Sequence, residues 1–145
     1  MDWFVKDTMS PPASPNPAAA PSTEDAVTRV IAFFEALSPA DVARIDALYA
    51  VNARFKDPFN DVRGVASIRQ VFAHMFATLE APRFAVTEQL VQGQQAFLAW
   101  EFHFRLRRWR ADQPQCIRGG SLLRFDAQGL VQEHRDYWDT AEELY

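Results

Sequence analysis

The residues of this chain best suited to moving protons are few and fall at readable spacings. Glu101 and His103 lie two apart inside the apolar run from Phe97 to Trp109, so on a strand they point to the same side. An imidazole exchanges a proton near neutral pH, and a neighbouring carboxylate orients the ring and favours its cation. Asp136 falls in phase with His134 and Trp138, while Arg135 and Tyr137 take the other face. A buried aspartate needs a donor, and His103 and Arg105 are the candidates; the pairing would be either a structural ion pair or part of a catalytic set. Asp57 follows Ala53-Arg54-Phe55-Lys56 and precedes Pro58, where a carboxylate commonly hydrogen-bonds the backbone of its own turn. His74 sits between Val71 and Met75 at a helix edge. The histidines at 74, 103 and 134 have no recognised metal-ligand spacing, so no metal is expected. Cys116 has no base beside it in the sequence to activate a thiol. The chain holds no glycine-rich phosphate loop and no dinucleotide fingerprint, so no cofactor is expected.

The elements that must position these groups are legible. Residues 1–22 form a Pro- and Ala-rich extension that buries little, apart from Trp3-Phe4-Val5; Met9 is an alternative start. Ser22-Thr23-Glu24-Asp25 is a capping pattern, and Val27, Val30, Ile31, Phe34 and Leu37 then recur at helical spacing. Ser38-Pro39-Ala40-Asp41 opens a second helix with Val42, Ile45, Leu48 and Tyr49 on its apolar stripe. A short strand over 53–56 ends at Asp57-Pro58. Ile68, Val71, Phe72, Met75 and Leu79 mark a third helix ending before Pro82. Strands follow over 84–91, 97–109, 116–125 and 130–138, joined by turns at Gln92-Gly93, Ala111 to Pro114 and Asp126 to Gly129. Asp139 can cap a short terminal helix. Consecutive hairpins imply antiparallel pairing, so the fold class is α+β, with helices against one side of a curved sheet. The folded domain spans 23–145.

Composition bounds the rest. The chain has 145 residues, enough for one domain, and 12 Phe, 4 Trp and 3 Tyr to fill a core. Its net charge of −4 provides no general field for nucleic acid or anionic lipid. Arg105, Arg107, Arg108, Arg110, Arg118 and Arg124 gather on the central strands, and a solvated, salt-bridged rim accounts for them. No apolar run reaches the ~20 residues of a membrane span. A single cysteine excludes an internal disulfide and fits a reducing compartment. With no signal-peptide pattern at Met1 to Asp7, the location expected is cytoplasmic.

The element order, with Ala36-Leu37-Ser38-Pro39-Ala40-Asp41, Ala53-Arg54-Phe55-Lys56-Asp57-Pro58 and His134-Arg135-Asp136-Tyr137-Trp138-Asp139, resembles the nuclear transport factor 2-like superfamily, in its SnoaL-like branch. The resemblance covers roughly residues 24 to 144. It implies a cone-shaped curved antiparallel sheet packed against three N-terminal helices, an internal apolar cavity, and a homodimer through the outer sheet face. It implies nothing firm about chemistry, because this fold hosts isomerases, cyclases, hydrolases, dehydratases and non-catalytic proteins.

Residue by residue, Asp57 matches the general base of ketosteroid-isomerase-like members. The oxyanion donors of that set are replaced by Phe33 and Ser121, which argues against steroid isomerisation. Epoxide-hydrolase-like members suggest Glu101, His103 and Asp136, with Phe55 and Asp57 where that family has Tyr and Asn, so only Asp136 keeps its type. The catalytic candidates are therefore Asp57, Glu101, His103 and Asp136, suited to proton abstraction next to a carbonyl, dehydration or water activation. The pocket lining expected is Phe33, Phe55, Phe59, Phe72, Ser121 and Trp138.

Two arrangements of the strand 97–109 compete. By alternation Leu98, Trp100, Phe102, Phe104 and Leu106 are core and Glu101, His103, Arg105 and Arg107 face water. By family analogy the aromatic face is the dimer interface and the polar face lines the cone. Two functions are compatible with the whole: a cofactor-free acid–base enzyme acting on a small apolar molecule, or a dimeric binding or scaffold module without catalysis.

Overall fold

The computed structural model describes residues 21–139; the extension before Pro21 and the short helix expected after Asp139 lie outside them. Helix α1 (Thr23–Glu35) starts where Ser22 accepts the Asp25 N–H through its hydroxyl at 3.1 Å, and it buries Ala26, Val27, Val30 and Phe34. The next segment, Pro39–Ala47, is a 3-10 helix and not an α-helix. Its start is as the sequence implies, with the Asp41 carboxylate accepting from the Ser38 N–H at 2.9 Å and the Ser38 hydroxyl at 2.8 Å. Nine residues ending in a strand form a connector, the setting in which the tighter helix occurs. Tyr49, read as part of that helix's stripe, instead opens strand β1 (Tyr49–Lys56).

Past the break at Asp57-Pro58, strand β2 (Asp61–Arg63) returns on β1 as a short hairpin. Helix α2 (Val65–Thr78) follows Gly64, whose φ of 97° suits glycine and whose N–H donates to the Ala53 carbonyl at 2.8 Å. The remaining strands are β3 (Leu79–Gln92), β4 (Gln95–Leu106), β5 (Gln115–Phe125) and β6 (Val131–Tyr137). Strand β3 begins earlier than expected and runs through Pro82. Proline is tolerated there because β3 is the sheet edge and its register shifts between Glu80 and Arg83. The hairpin turns fall where Gly93 (φ 61°) and Gly129 (φ 78°) place them.

The six strands form one curved, unclosed sheet in the order β2-β1-β6-β5-β4-β3. One pairing departs from the antiparallel expectation: β6 lies parallel to β1, Phe55 opposite His134. The fold class is α+β, as expected. The core fills the space between the helices and the inner sheet face, around Tyr49, Phe55, Ile45, Leu48, Ile68 and Leu123.

Strand β4 settles which of its faces is internal. Leu98, Trp100 and Phe104 are buried, whereas Glu101 and His103 sit on the outer face, each about a third exposed. Burying a large apolar side chain is worth about 1.5–3 kcal/mol. Turning five such residues outward to admit one Glu–His pair would cost far more than the pair returns. The alternation rule wins over the family analogy.

Candidate functional site

The inner face of the sheet carries a continuous chain of hydrogen bonds. The Trp100 indole Nε1–H donates to Ser121 Oγ at 2.8 Å, and Ser121 Oγ lies 2.5 Å from Asp136 Oδ1. The same Oδ1 is 2.6 Å from His134 Nε2, and His134 Nδ1 is 2.6 Å from the Tyr49 hydroxyl. Each partner is placed by the sheet. Ser121 and Asp136 are register partners between β5 and β6, His134 precedes Asp136 by one full pleat, and Tyr49 opens the neighbouring strand. Trp100 lies flat over β5 because Gly119 has no side chain: a Cβ there would come within 2.6 Å of the indole Cη2.

The donors can be assigned. Indole N–H only donates, so Ser121 accepts from Trp100 and its own hydroxyl proton points at Asp136. Tyr49 is fully buried, and burial together with the Asp136 charge pushes its hydroxyl well above the ordinary value of 10.0. It therefore keeps its proton and donates it to His134 Nδ1. The ring proton of His134 is then on Nε2, aimed at Asp136. Two donors converge on Oδ1 and fix the carboxylate.

Asp136 borders an open surface cleft beside Lys56, Pro58 and Arg135, and it stands on the wall of two hollows on the inner side of the sheet. A small one of about 30 Å3, bounded by Val30, Phe34, Leu98, Ser121 and His134, has room for one water-sized molecule. A larger cavity of about 370 Å3 lies between α2 and the sheet, lined by Phe55, Phe72, Met75, Phe84, Trp100 and Phe104 among others. Phe59 and Trp138 meet edge to face at 5.4 Å on its margin, Phe59 being 70 % exposed. A carboxylate held by donors beside an apolar hollow can take a proton from a bound molecule, or orient a water or hydroxyl against it.

The expected site residues divide. Asp136, Phe55, Phe59, Phe72 and Trp138 line the larger cavity, and Ser121 lines the smaller. Asp57 is also on the larger wall, but its Oδ1 accepts from the Phe59 N–H at 2.8 Å and the Asn60 N–H at 2.6 Å. Its Oδ2 accepts from the Asn60 side chain at 3.1 Å. Both oxygens thus hold the β1–β2 turn.

Phe33 is displaced by one residue from its expected place: Phe34 lines the small hollow, and Phe33 packs against it edge to face at 5.6 Å. Glu101 and His103 face away from both hollows and bond each other at 3.2 Å. The donor to Asp136 is therefore neither His103 nor Arg105 but His134 with Ser121. Tyr49 and His134 join the site although the sequence does not mark them as functional. The i, i+2 phase of His134 with Asp136 was the available signal, and nothing local points from Tyr49 to a residue 85 positions away.

On the outer face, Glu101, His103 and Cys116 bring one ligand atom each to within 4.8 Å of one another, a convergence that linear spacing does not reveal. Among the described residues no helix is long and apolar enough to cross a membrane.

Comparison with known proteins adds to this geometry. The model of the SnoaL-like domain matches residues 30–134. No curated protein matches the chain. Solved structures share the fold at low identity. A hypothetical protein with a ketosteroid isomerase-like fold from Catenulispora acidiphila, in complex with trimethylamine, is 19 % identical with a TM-score of 0.71, over 85 % of this chain and 92 % of that one. An epoxide hydrolase of limonene-epoxide-hydrolase-like type from M. tuberculosis is 18 % identical at 0.70, over 86 % and 90 %. A protein from Jannaschia sp. CCS1 assigned as a SnoaL-like polyketide cyclase is 13 % identical at 0.69, over 84 % and 88 %. At such identity the likeness concerns the fold alone.

Proposed function

Because the chain belongs to the SnoaL-like domain family, we propose that it binds a small, largely apolar molecule in the cavity between α2 and the sheet. There Asp136 serves as the acid–base group, with no cofactor required. One observation carries this reading: a carboxylate fixed by Ser121 and His134 faces a hollow of about 370 Å3 whose other walls are mainly aromatic and aliphatic. Such a hollow suits an apolar ligand with one or two polar atoms. The reaction class it favours is proton transfer at carbon next to a carbonyl, or delivery of a water. His134 and Tyr49 stand behind the carboxylate and hold it; they are positioning residues.

The alternative, a binding module without catalysis, is favoured by Asp57, whose two oxygens are spent on its own turn. With Asp57 engaged in its own turn, the reading assigns the chemistry to Asp136.

The reading includes a homodimer through the outer sheet face. Leu90, Phe97 and Tyr137 are exposed there (70 %, 39 % and 45 %), and Phe97 lies across Gly120, where a Cβ would come within 2.2 Å of its ring. Nucleic acid is not part of it, since Arg107 pairs with Glu80 at 2.6 Å and Arg124 with Glu133 at 3.7 Å. A cytoplasmic location is consistent with the single cysteine.

Melting curves with a panel of terpenoids, steroids and polyketides test the reading. A ligand at 100 times its Kd adds about 2.7 kcal/mol. A hit whose turnover is lost in Asp136→Asn supports the enzyme. Retained turnover in that variant removes Asp136 as the base, and a panel without hits counts against the pocket.

A further inference from the structure

Beyond the cavity, the geometry points to a second site, on the outer face of the sheet: a surface centre for a thiophilic divalent ion such as Zn2+, ligated by Glu101, His103 and Cys116. The three come from two adjacent strands. Glu101 and His103 share the outer side of β4, and Cys116 is the direct register partner of His103 on β5. Their ligand atoms lie within 4.8 Å of one another, and His103 Nε2 is 3.2 Å from Glu101 Oε2. Metal–ligand bonds of about 2.0–2.3 Å at tetrahedral angles place ligand atoms about 3.3–3.8 Å apart. The trio therefore closes on an ion with side-chain adjustments of about an ångström or less.

The donor set decides which ion. A thiolate, an imidazole and one carboxylate suit zinc-like ions, whereas Mg2+ and Ca2+ require an oxygen shell. The surroundings push the same way. Arg83 is the β3 register partner of His103, and Arg118 is the β5 partner of Glu101. Guanidinium groups on both sides disfavour a hard dication held by charge alone and leave the affinity to sulfur and nitrogen. Three protein ligands leave the fourth tetrahedral position open to water or to a group from outside. The centre shares the outer sheet face with the proposed dimer contact: along β4, Phe97 lies four residues from Glu101 and six from His103, about 13 and 20 Å.

The test is a titration of the full chain with Zn2+ against a chromogenic chelator, repeated with Co2+ as a spectroscopic stand-in. The expected result is one equivalent bound. Affinity should fall at least about tenfold in each of Cys116→Ser, His103→Ala and Glu101→Gln, the scale on which even outer-shell changes act. With Co2+, a thiolate-to-metal charge-transfer band should vanish in Cys116→Ser and persist in Glu101→Gln. Excess Mg2+ should not compete. Circular dichroism and melting curves confirm that each variant is folded, and Glu101→Gln, which keeps the side chain's shape, serves if either of the others is not. The proposal is overturned if the full chain binds no Zn2+, or if the folded variants bind it as tightly as the parent.

Discussion

Tyr49 and Asp136 grip opposite nitrogens of one imidazole: the Tyr49 hydroxyl is 2.6 Å from His134 Nδ1, and Asp136 Oδ1 is 2.6 Å from Nε2. The ring lies between Phe34 and Phe55, which meet it near edge-on at 5.8 and 4.8 Å, and it is only 5 % exposed. It therefore has little freedom except along that axis. Through it, the start of β1 is tied to the carboxylate on the cavity wall.

Tyr49→Phe removes the donor to Nδ1 while leaving the ring volume in place. A buried acceptor left without its partner costs about 1–3 kcal/mol. Urea denaturation should show a lower midpoint with an unchanged slope; an unchanged midpoint would mean that the bond contributes nothing.

The same residue sets a pH dependence. In the folded protein Tyr49 ionises well above 10.0, chiefly because it is buried, whereas in the unfolded chain it ionises near 10.0. Folding therefore favours the protonated form. Its contribution is fully present below pH 10 and declines as pH rises from there toward the folded value. Stability measured from pH 8 upward should fall more steeply past pH 10 in the parent than in Tyr49→Phe, and parallel curves would contradict the assignment.

Gly119→Ala tests how the indole is placed. The new methyl would meet both the Trp100 ring and the Tyr137 carbonyl oxygen of β6, pressing the indole off β5 and straining its bond to Ser121. Overpacking of this kind costs about 1–3 kcal/mol. The expected outcome is lower stability, with the Trp100 indole N–H resonance moving toward its water-exposed position. A variant as stable as the parent would show that the contact is loose.

Asp57→Asn and Asp136→Asn separate the two carboxylates on the cavity wall. Asn can still accept the turn N–H bonds at Oδ1 but not the Asn60 side chain at the second position, so that variant should lose a little stability and keep ligand binding and any turnover. At 136 the amide can still accept at Oδ1 but cannot take a proton, so binding should persist while turnover is lost. Turnover that depended on Asp57 would reverse the roles.

Much of this frame was legible in the chain, for physical reasons. Ser22 and Asp41 signal helix starts by local bonding, and Gly93 and Gly129 mark turns that only glycine adopts readily. Strict alternation on β4 sorted Trp100 from Glu101 correctly, and it was the family analogy that left the choice open. The parallel pairing of β1 with β6 was not legible, because strands distant in sequence meet through the whole fold. The site suffered the same way. Asp136 could be named from residue type and phase, and Ser121 only through the family resemblance. The bond from Tyr49 to His134 and the meeting of Cys116 with His103 depend on register between strands, which no local pattern encodes.

The most direct measurement is an indole 15N–1H spectrum recorded while a panel ligand is added. Trp100 and Trp138 line the cavity, whereas Trp109 is exposed and lines neither hollow. The account predicts that the Trp100 and Trp138 signals move together and saturate while Trp109 stays fixed. A ligand that raises the melting temperature yet shifts only Trp109, or leaves Trp100 where it was, would contradict it.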